Sequence, residues 1–154
     1  PLATLSVDTL VLVTRSADDF ADFDALVAAA SAEPNSITIG GVSRGSEDHL
    51  VFTMLSDSLD AELQYVPFDG GGDALSALLG GHVDAAIFNP SEIGQQVAAG
   101  RAHPLGAFSE ERLSEPFDST ATFAELGYPG VAISLFRGYA GPPEMPAEAV
   151  AYWE

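Results

Sequence analysis

Apolar positions along this chain alternate between short unbroken runs and a helical spacing of about three to four residues, the marks of buried strands and one-sided helices respectively. Val11, Leu12 and Val13 form the first run and predict a strand that ends at Arg15. From Ser16 onward Phe20, Phe23, Val27 and Ala30 fall at helical spacing. Asp18, Asp19 and Asp22 stand near the amino end, where the helix dipole favours anions, and Pro34 ends the element. Ile37 to Gly40 predicts the next strand, and the helix after it carries Leu50, Val51, Met54, Leu55 and Leu59. Leu63 to Phe68 is strand-like and leads into a short helix with Leu75, Leu78 and Leu79, stopped by Gly80-Gly81. Val83 to Phe88 opens into Asn89-Pro90-Ser91-Glu92, where Asn89 suits the N-cap, Pro90 the first helical position and Glu92 the reciprocal place of a capping box. Gly100 closes that helix. Leu105 to Phe108 and Val131 to Phe136 predict two more strands with a short helix around Thr122 to Leu126 between them, and a final helix starts near Pro146.

Strands that alternate with helices in this way predict an α/β fold: a mostly parallel sheet flanked by helices, because parallel neighbours need helical crossovers. In such sheets the turns from strand to helix emerge at one edge, where ligands bind.

Charge narrows the function. Five basic against 23 acidic residues give the 154-residue chain a formal charge of −18, yet 47% of its residues are hydrophobic. The apolar content is enough for a real core beneath an anionic surface. Nucleic acid is excluded as a partner, since phosphate binding needs a cationic footprint. Every basic residue is arginine (Arg15, Arg44, Arg101, Arg112, Arg137), which fits either a salt-screened environment or a lysine-poor composition. Without cysteine there is no disulfide, thiolate metal site or cysteine nucleophile. No apolar run approaches the roughly 18 residues of a membrane span.

Candidate chemistry gathers in three turns: Gly40 to Ser46, Asp69 to Asp73 and Asn89 to Glu92. Glycine lets backbone approach a ligand closely, and the first turn of each following helix offers unpaired N–H groups at a positive dipole end. Aimed at one cleft, the three would bind a carboxylate without any lysine. Arg44 is the one cation inside them, placed either to clasp a carboxylate or to pair with Glu47 or Asp48; His49 stands in the first turn of its helix, for capping or for ligand contact. Gly41-Val42-Ser43-Arg44-Gly45 also fits the G-x-S-x-G nucleophile elbow of serine esterases, with Asp84 and His103 following in the required order. The spacing of His49, His82 and His103 supports no metal site.

The stretches Gly45-Ser46-Glu47-Asp48-His49-Leu50, Tyr65-Val66-Pro67-Phe68-Asp69-Gly70-Gly71-Gly72-Asp73-Ala74, Leu78-Leu79-Gly80-Gly81-His82-Val83-Asp84-Ala85 and Asn89-Pro90-Ser91-Glu92 resemble, in order and spacing, signatures of the tripartite tricarboxylate transporter substrate-binding proteins, the Bug-type receptors. Ala99-Gly100-Arg101, Ser109-Glu110-Glu111-Arg112, Glu125-Leu126-Gly127-Tyr128 and Phe136-Arg137-Gly138 continue the likeness. It implies a type II periplasmic-binding-protein lobe with crossover strands, one of two lobes that close on a small ligand. Members are roughly twice this length. On that basis residues 1–140 are expected to form the ligand-binding second lobe, and 141–154 a crossover and a cut helix of the other lobe.

The resemblance further implies an extracytoplasmic solute-binding protein that takes a small organic carboxylate to membrane permease subunits, without cofactor, metal or catalysis. The ligand-binding set it implies is Ser43, Gly45, Ser46, Gly71, Gly72, Asp73 and Asn89, with Arg44 and His49 as secondary candidates. Ser46 and Asp73 would cap their helices, Gly71 and Gly72 would permit close approach, and Asn89 would donate its amide or cap. Arg44, where members commonly have a Gly-Thr-Gly-Ser-like stretch, adds bulk and charge at the mouth. The rival readings are an esterase using Ser43 and a non-catalytic interaction module that dimerises through the surface left by an absent lobe.

Overall fold

The computed structural model describes residues 2–153. Its centre is a five-stranded sheet ordered β4-β3-β5-β2-β6, built from β2 (Val11–Thr14), β3 (Ile37–Val42), β4 (Leu63–Phe68), β5 (Ala85–Phe88) and β6 (His103–Ala107). β3 runs parallel to β4 and β5, whereas β2 is antiparallel to both β5 and β6. Four strands therefore share a direction, and β2 alone opposes them. Val11 at the start of β2 lies opposite Phe88 and Ala107 at the ends of β5 and β6, so the carboxyl ends of β3, β4, β5 and β6 form one edge with the beginning of β2.

All residues of β2 and β5 are buried, as central strands covered on both faces must be. Alternation along them feeds two cores. Leu12 and Ile87 pack with Phe23, Leu26 and Leu55, beneath α1 (Phe23–Ala32) and α2 (Glu47–Ser58). Val11, Val13 and Phe88 pack with Leu78 and Ile93, beneath α3 (Gly71–Leu79) and α4 (Pro90–Ala98). The expected α/β fold, a mostly parallel sheet flanked by helices, is met.

Local readings differ in four places. α1 begins at Phe23, because the Asp22 side chain accepts the Ala25 N–H at 2.8 Å as N-cap; Ser16 to Asp19 instead form a turn closed by an Asp19 N–H to Ser16 carbonyl bond of 3.0 Å. Thr122 to Leu126 is a single turn, not a helix, in which Glu125 accepts the Thr122 N–H at 2.9 Å and pairs with Arg112. The stretch predicted as a strand at Val131–Phe136 reaches the core as an irregular segment, tied by an Ile133 N–H to Phe108 carbonyl bond of 2.9 Å, and the strand itself lies later, as β7 (Leu135–Tyr139). β7 pairs antiparallel with β1 (Ala3–Asp8), a strand the apolar pattern does not announce, in a separate two-stranded sheet. That ribbon exposes Leu5, Val7, Phe136 and Tyr139, and the final helix α5 (Ala147–Trp153) exposes Tyr152 and Trp153.

Candidate functional site

Each of the three anticipated turns leaves the shared edge and ends in a helix start. After β3 the chain turns through Gly45, whose φ of 90° lies in the left-handed region that glycine adopts without strain. Ser46 then N-caps α2, accepting the His49 N–H at 3.4 Å while its hydroxyl donates to the Val42 carbonyl at 3.0 Å. After β4, Gly70 occupies the N-cap of α3 without a side-chain bond. The expectation that Asp73 caps this helix is therefore corrected: Asp73 lies in the first turn, and its own N–H donates to the Gly70 carbonyl at 3.1 Å. After β5, Asn89 is the N-cap of α4, Pro90 follows it, and the Glu92 carboxylate accepts the Asn89 N–H at 3.2 Å.

The helix starts converge. A Cβ added to Gly71 would lie 2.7 Å from Glu92 Oε1, so the first turns of α3 and α4 touch. Glu47 and Asp48 of α2 line a cavity of about 110 Å³ together with Asn89, Glu92, Val42, Leu10 and Arg137. Among the described residues the N–H groups of Gly71 and Gly72 meet no protein acceptor, which leaves two donors at the positive end of α3. Gly72 has open space beside it. A larger cavity of about 490 Å³ lies at the opposite edge, beside His103 and the carboxyl end of α4, where the dipole disfavours an anion.

Electrostatics at the convergence are mixed. Burial pushes the Asp48 carboxyl up to about 6; the Val42 N–H, donating at 2.8 Å, opposes the rise, and the charges of Glu47 and Glu92 add to it. Tyr65 donates to the Val42 carbonyl at 2.5 Å, and burial pushes its phenol up to about 12. Arg137 of β7 is ion-paired with Asp8 and reaches Glu47 at 3.7 Å. The Arg137 bond holds Asp8 below its ordinary range, helped less by Ser6 and Asn89.

Ser43 and Arg44 are exposed in the turn ahead of α2, and among the described residues Arg44 pairs with neither Glu47 nor Asp48. The His49 ring accepts the Gly45 N–H at 3.2 Å and lies 4.8 Å from Tyr65 between centroids, a local packing role. Arg137, Asp8 and Glu47 were not among the expected site residues. Only a pairing between β1 and β7, more than a hundred positions apart in sequence, brings Arg137 to this edge.

The nucleophile elbow is not assembled. His103 opens β6 opposite Thr14, at the far edge from Ser43, and its Nε2 lies 3.0 Å from the Ala21 carbonyl. Asp84 accepts instead from the Thr38 N–H at 2.8 Å and the Thr38 hydroxyl at 2.6 Å.

A sequence profile of the tripartite tricarboxylate transporter family receptor matches residues 1–152. The chain belongs to this receptor family. Among TctC-type relatives, protein BugT of Bordetella pertussis is 33% identical over 142 residues, which cover 92% of this chain and 43% of that one. A TctC solute binding protein from Polaromonas aligns with a TM-score of 0.80 and 27% identity, over 98% of this chain and 51% of that one. Rpa4515 of R. palustris, solved with adipate, aligns at 0.87 and 24% identity over 99% and 51%, a likeness of fold. The chain thus spans about half the length of these TctC relatives. Members of the family are substrate-binding receptors, and the neighbours in fold are periplasmic binding proteins. Among the described residues of this TctC chain, no helix is long and apolar enough to cross a membrane.

Proposed function

We propose that the chain is the ligand-contacting lobe of an extracytoplasmic receptor that binds a small organic carboxylate and passes it to membrane permease subunits. The observation that carries this reading is that the α2 and α4 starts line one cavity at the shared sheet edge and the α3 start touches that of α4 at Gly71 and Glu92. In this reading the main-chain donors of Gly71 and Gly72 hold the acid together with Ser43, Gly45, Ser46, Asp73 and Asn89. This is a local attraction that survives a net charge of −18, because the charge is spread over a screened surface.

Residues 1–140 act as the lobe and 141–154 as the crossover and a helix of the other half, in keeping with a chain about half the length of its relatives. Closure of two lobes on the ligand favours the shut state by the contacts made only there. The apolar ribbon of Leu5, Val7, Phe136 and Tyr139 supports a second proposal: as an isolated piece the chain pairs with itself through this face, an association that light scattering reads directly.

The test is a thermal-shift screen of mono-, di- and tricarboxylates on the full-length protein. One acid or a close set is expected to raise the melting temperature in proportion to the logarithm of its concentration, while chloride and phosphate do not. A flat response to every acid would remove the receptor reading.

A further inference from the structure

The ribbon of β1 and β7 is fastened to the core at its base. Asp8 pairs with Leu135 there, and the residues behind them tie both strands down. The Thr9 hydroxyl donates to the Phe108 carbonyl at 3.0 Å, the Phe108 N–H to the Leu10 carbonyl at 2.9 Å, and the Ile133 N–H to the Phe108 carbonyl at 2.9 Å. Outward from this base the middle of β1, Thr4 to Val7, is exposed. A two-stranded ribbon is marginally stable by itself, so its angle to the lobe depends on what else holds it.

One side chain reaches back. Arg137 lies two positions out from the base on β7; its Nε donates to Asp8 across the ribbon, and its Nη2 lies 3.7 Å from Glu47 Oε1 in the first turn of α2. The second contact is too long for a hydrogen bond, so it acts by charge and tolerates small changes of angle. Arg137 and Glu47 both line the cavity at the helix starts, which places the fastening beside the candidate site. Just beyond it the ribbon changes character. Thr4 pairs with Gly138 and Ser6 with Arg137, which leaves Leu5 as an extra residue, a β-bulge that bends its strand and raises the local twist. Glycine is required at 138, since a side chain there would run into the Ala3 carbonyl. The fastening thus ends at Arg137, and the bulge begins at its neighbour.

We propose that Arg137 is a hinge clamp: held to Asp8 and to Glu47, it fastens the inner half of the ribbon to the ligand-binding lobe and confines the bending of lobe closure to the bulge at Leu5. This rests on the two-lobe receptor reading and adds the residues that set where the hinge lies, since hinges are a few positions that absorb the backbone change.

The experiment is pulsed electron paramagnetic resonance on the full-length protein, with spin labels at Ser58→Cys, at the end of α2, and Glu148→Cys, on the helix that follows the ribbon; both positions are exposed. The 154 residues contain no cysteine of their own to compete for label. The spread of the label-to-label distance reads the angle between lobe and ribbon, which a merely structural ion pair would leave alone. Glu47→Gln and Arg137→Gln are each expected to raise the fraction of molecules outside the main distance peak by about twofold to fivefold, the reach of an exposed ion pair. Glu47→Gln leaves the pair of Arg137 with Asp8 in place, so it decides the matter if Arg137→Gln fails to fold. The double variant is expected to spread no further than Arg137→Gln alone, because both changes remove the same contact. Sodium chloride at about 1 M is expected to broaden the parent and not the double variant. Distances unchanged in the single variants, or effects that add in the double one, overturn the clamp and leave the receptor reading standing. A protein that binds no acid in the thermal-shift screen ends the receptor reading, and with it the closure this clamp serves, whatever the distances show.

Discussion

Glu92 Oε1 lies 2.7 Å from the point where a methyl group on Gly71 would sit. Two helix starts from different strands thereby pack closely at a carboxylate that also accepts the Asn89 N–H. Neighbouring Gly72 has no atom within 4 Å of its Cβ position. The two adjacent glycines are therefore separable by mutation.

Gly71→Ala is expected to drive Glu92 away and cost about 1 kcal/mol, the usual worth of a helix cap. Gly72→Ala meets nothing, replaces glycine in a helix and is expected to stabilise the fold by about 0.4–1 kcal/mol. If the ligand acid approaches this turn as proposed, Gly72→Ala nevertheless weakens carboxylate binding by roughly tenfold, about 1.4 kcal/mol. Melting curves and titrations of both variants provide the check. A Gly72→Ala protein that is more stable and binds normally would take Gly72 out of the site.

Asp48 gives a pH signature of opposite sign to that of most carboxylates. Its folded value of about 6 stands above the ordinary 3.8, so between these values the folded chain holds a proton that the unfolded chain releases. Stability contributed by this group falls as pH rises through that window, by at most about 3 kcal/mol, and the penalty is complete above the folded value. Asp8 and Glu125, both held below their ordinary range, act in the other sense and at lower pH. Asparagine keeps an acceptor for the Val42 N–H without the charge. Asp48→Asn is therefore expected to match or exceed the parent at pH 8 and to lose that advantage at pH 5, measured by urea unfolding. A variant hurt more at pH 8 than at pH 5 would mean that the ionised carboxylate stabilises the fold.

Where the sequence was readable, the signal was local. Ile37 to Glu92 carries strands as apolar runs, helices at helical spacing and caps as Ser46 and Asn89, and each of those determinants acts within a few residues of itself. β1 was hidden because its Leu5 and Val7 stand exposed between Thr4, Ser6 and Asp8, so no run or buried face marks it. Val131 and Ile133 looked like a strand because they are apolar and β-branched, yet they serve the core from an irregular segment. At the site, Gly71 and Asn89 were recognisable from turn chemistry. Arg137 and the buried state of Asp48 were not, since both depend on contacts between distant segments: β1 with β7 for the first, and α2 folded back on the end of β3 for the second.

Gly106 and Phe123 test the packing beneath the sheet. A Cβ on Gly106 would come 2.8 Å from the Phe123 ring, which is fully buried and lies 4.4 Å from Phe108 and 5.0 Å from Phe23 between centroids. With aromatic neighbours on both sides the ring has little room to retreat, so Gly106→Ala is expected to cost about 1–3 kcal/mol. Phe123→Leu makes space at a cost of its own, and the double variant should be less destabilised than the two losses added together. Additive losses in denaturant unfolding would show that the clash is relieved elsewhere.

Ionic strength decides between two opposed contributions to stability. The exposed pairs Arg15–Asp19 at 2.8 Å and Arg112–Glu125 at 2.9 Å weaken as salt screens them, but each is worth no more than about 1 kcal/mol. Against them stands the mutual repulsion of 23 acidic side chains offset by five arginines, which salt relieves over separations longer than about 10 Å at 0.1 M. The larger population wins: the melting temperature is expected to climb as sodium chloride rises from about 0.02 M to 1 M, with most of the gain below about 0.3 M, where the screening length changes fastest. Potassium chloride should trace the same curve, since the effect is one of screening and not of a bound ion. A melting temperature that falls with salt would show that the few ion pairs outweigh the repulsion among the acids.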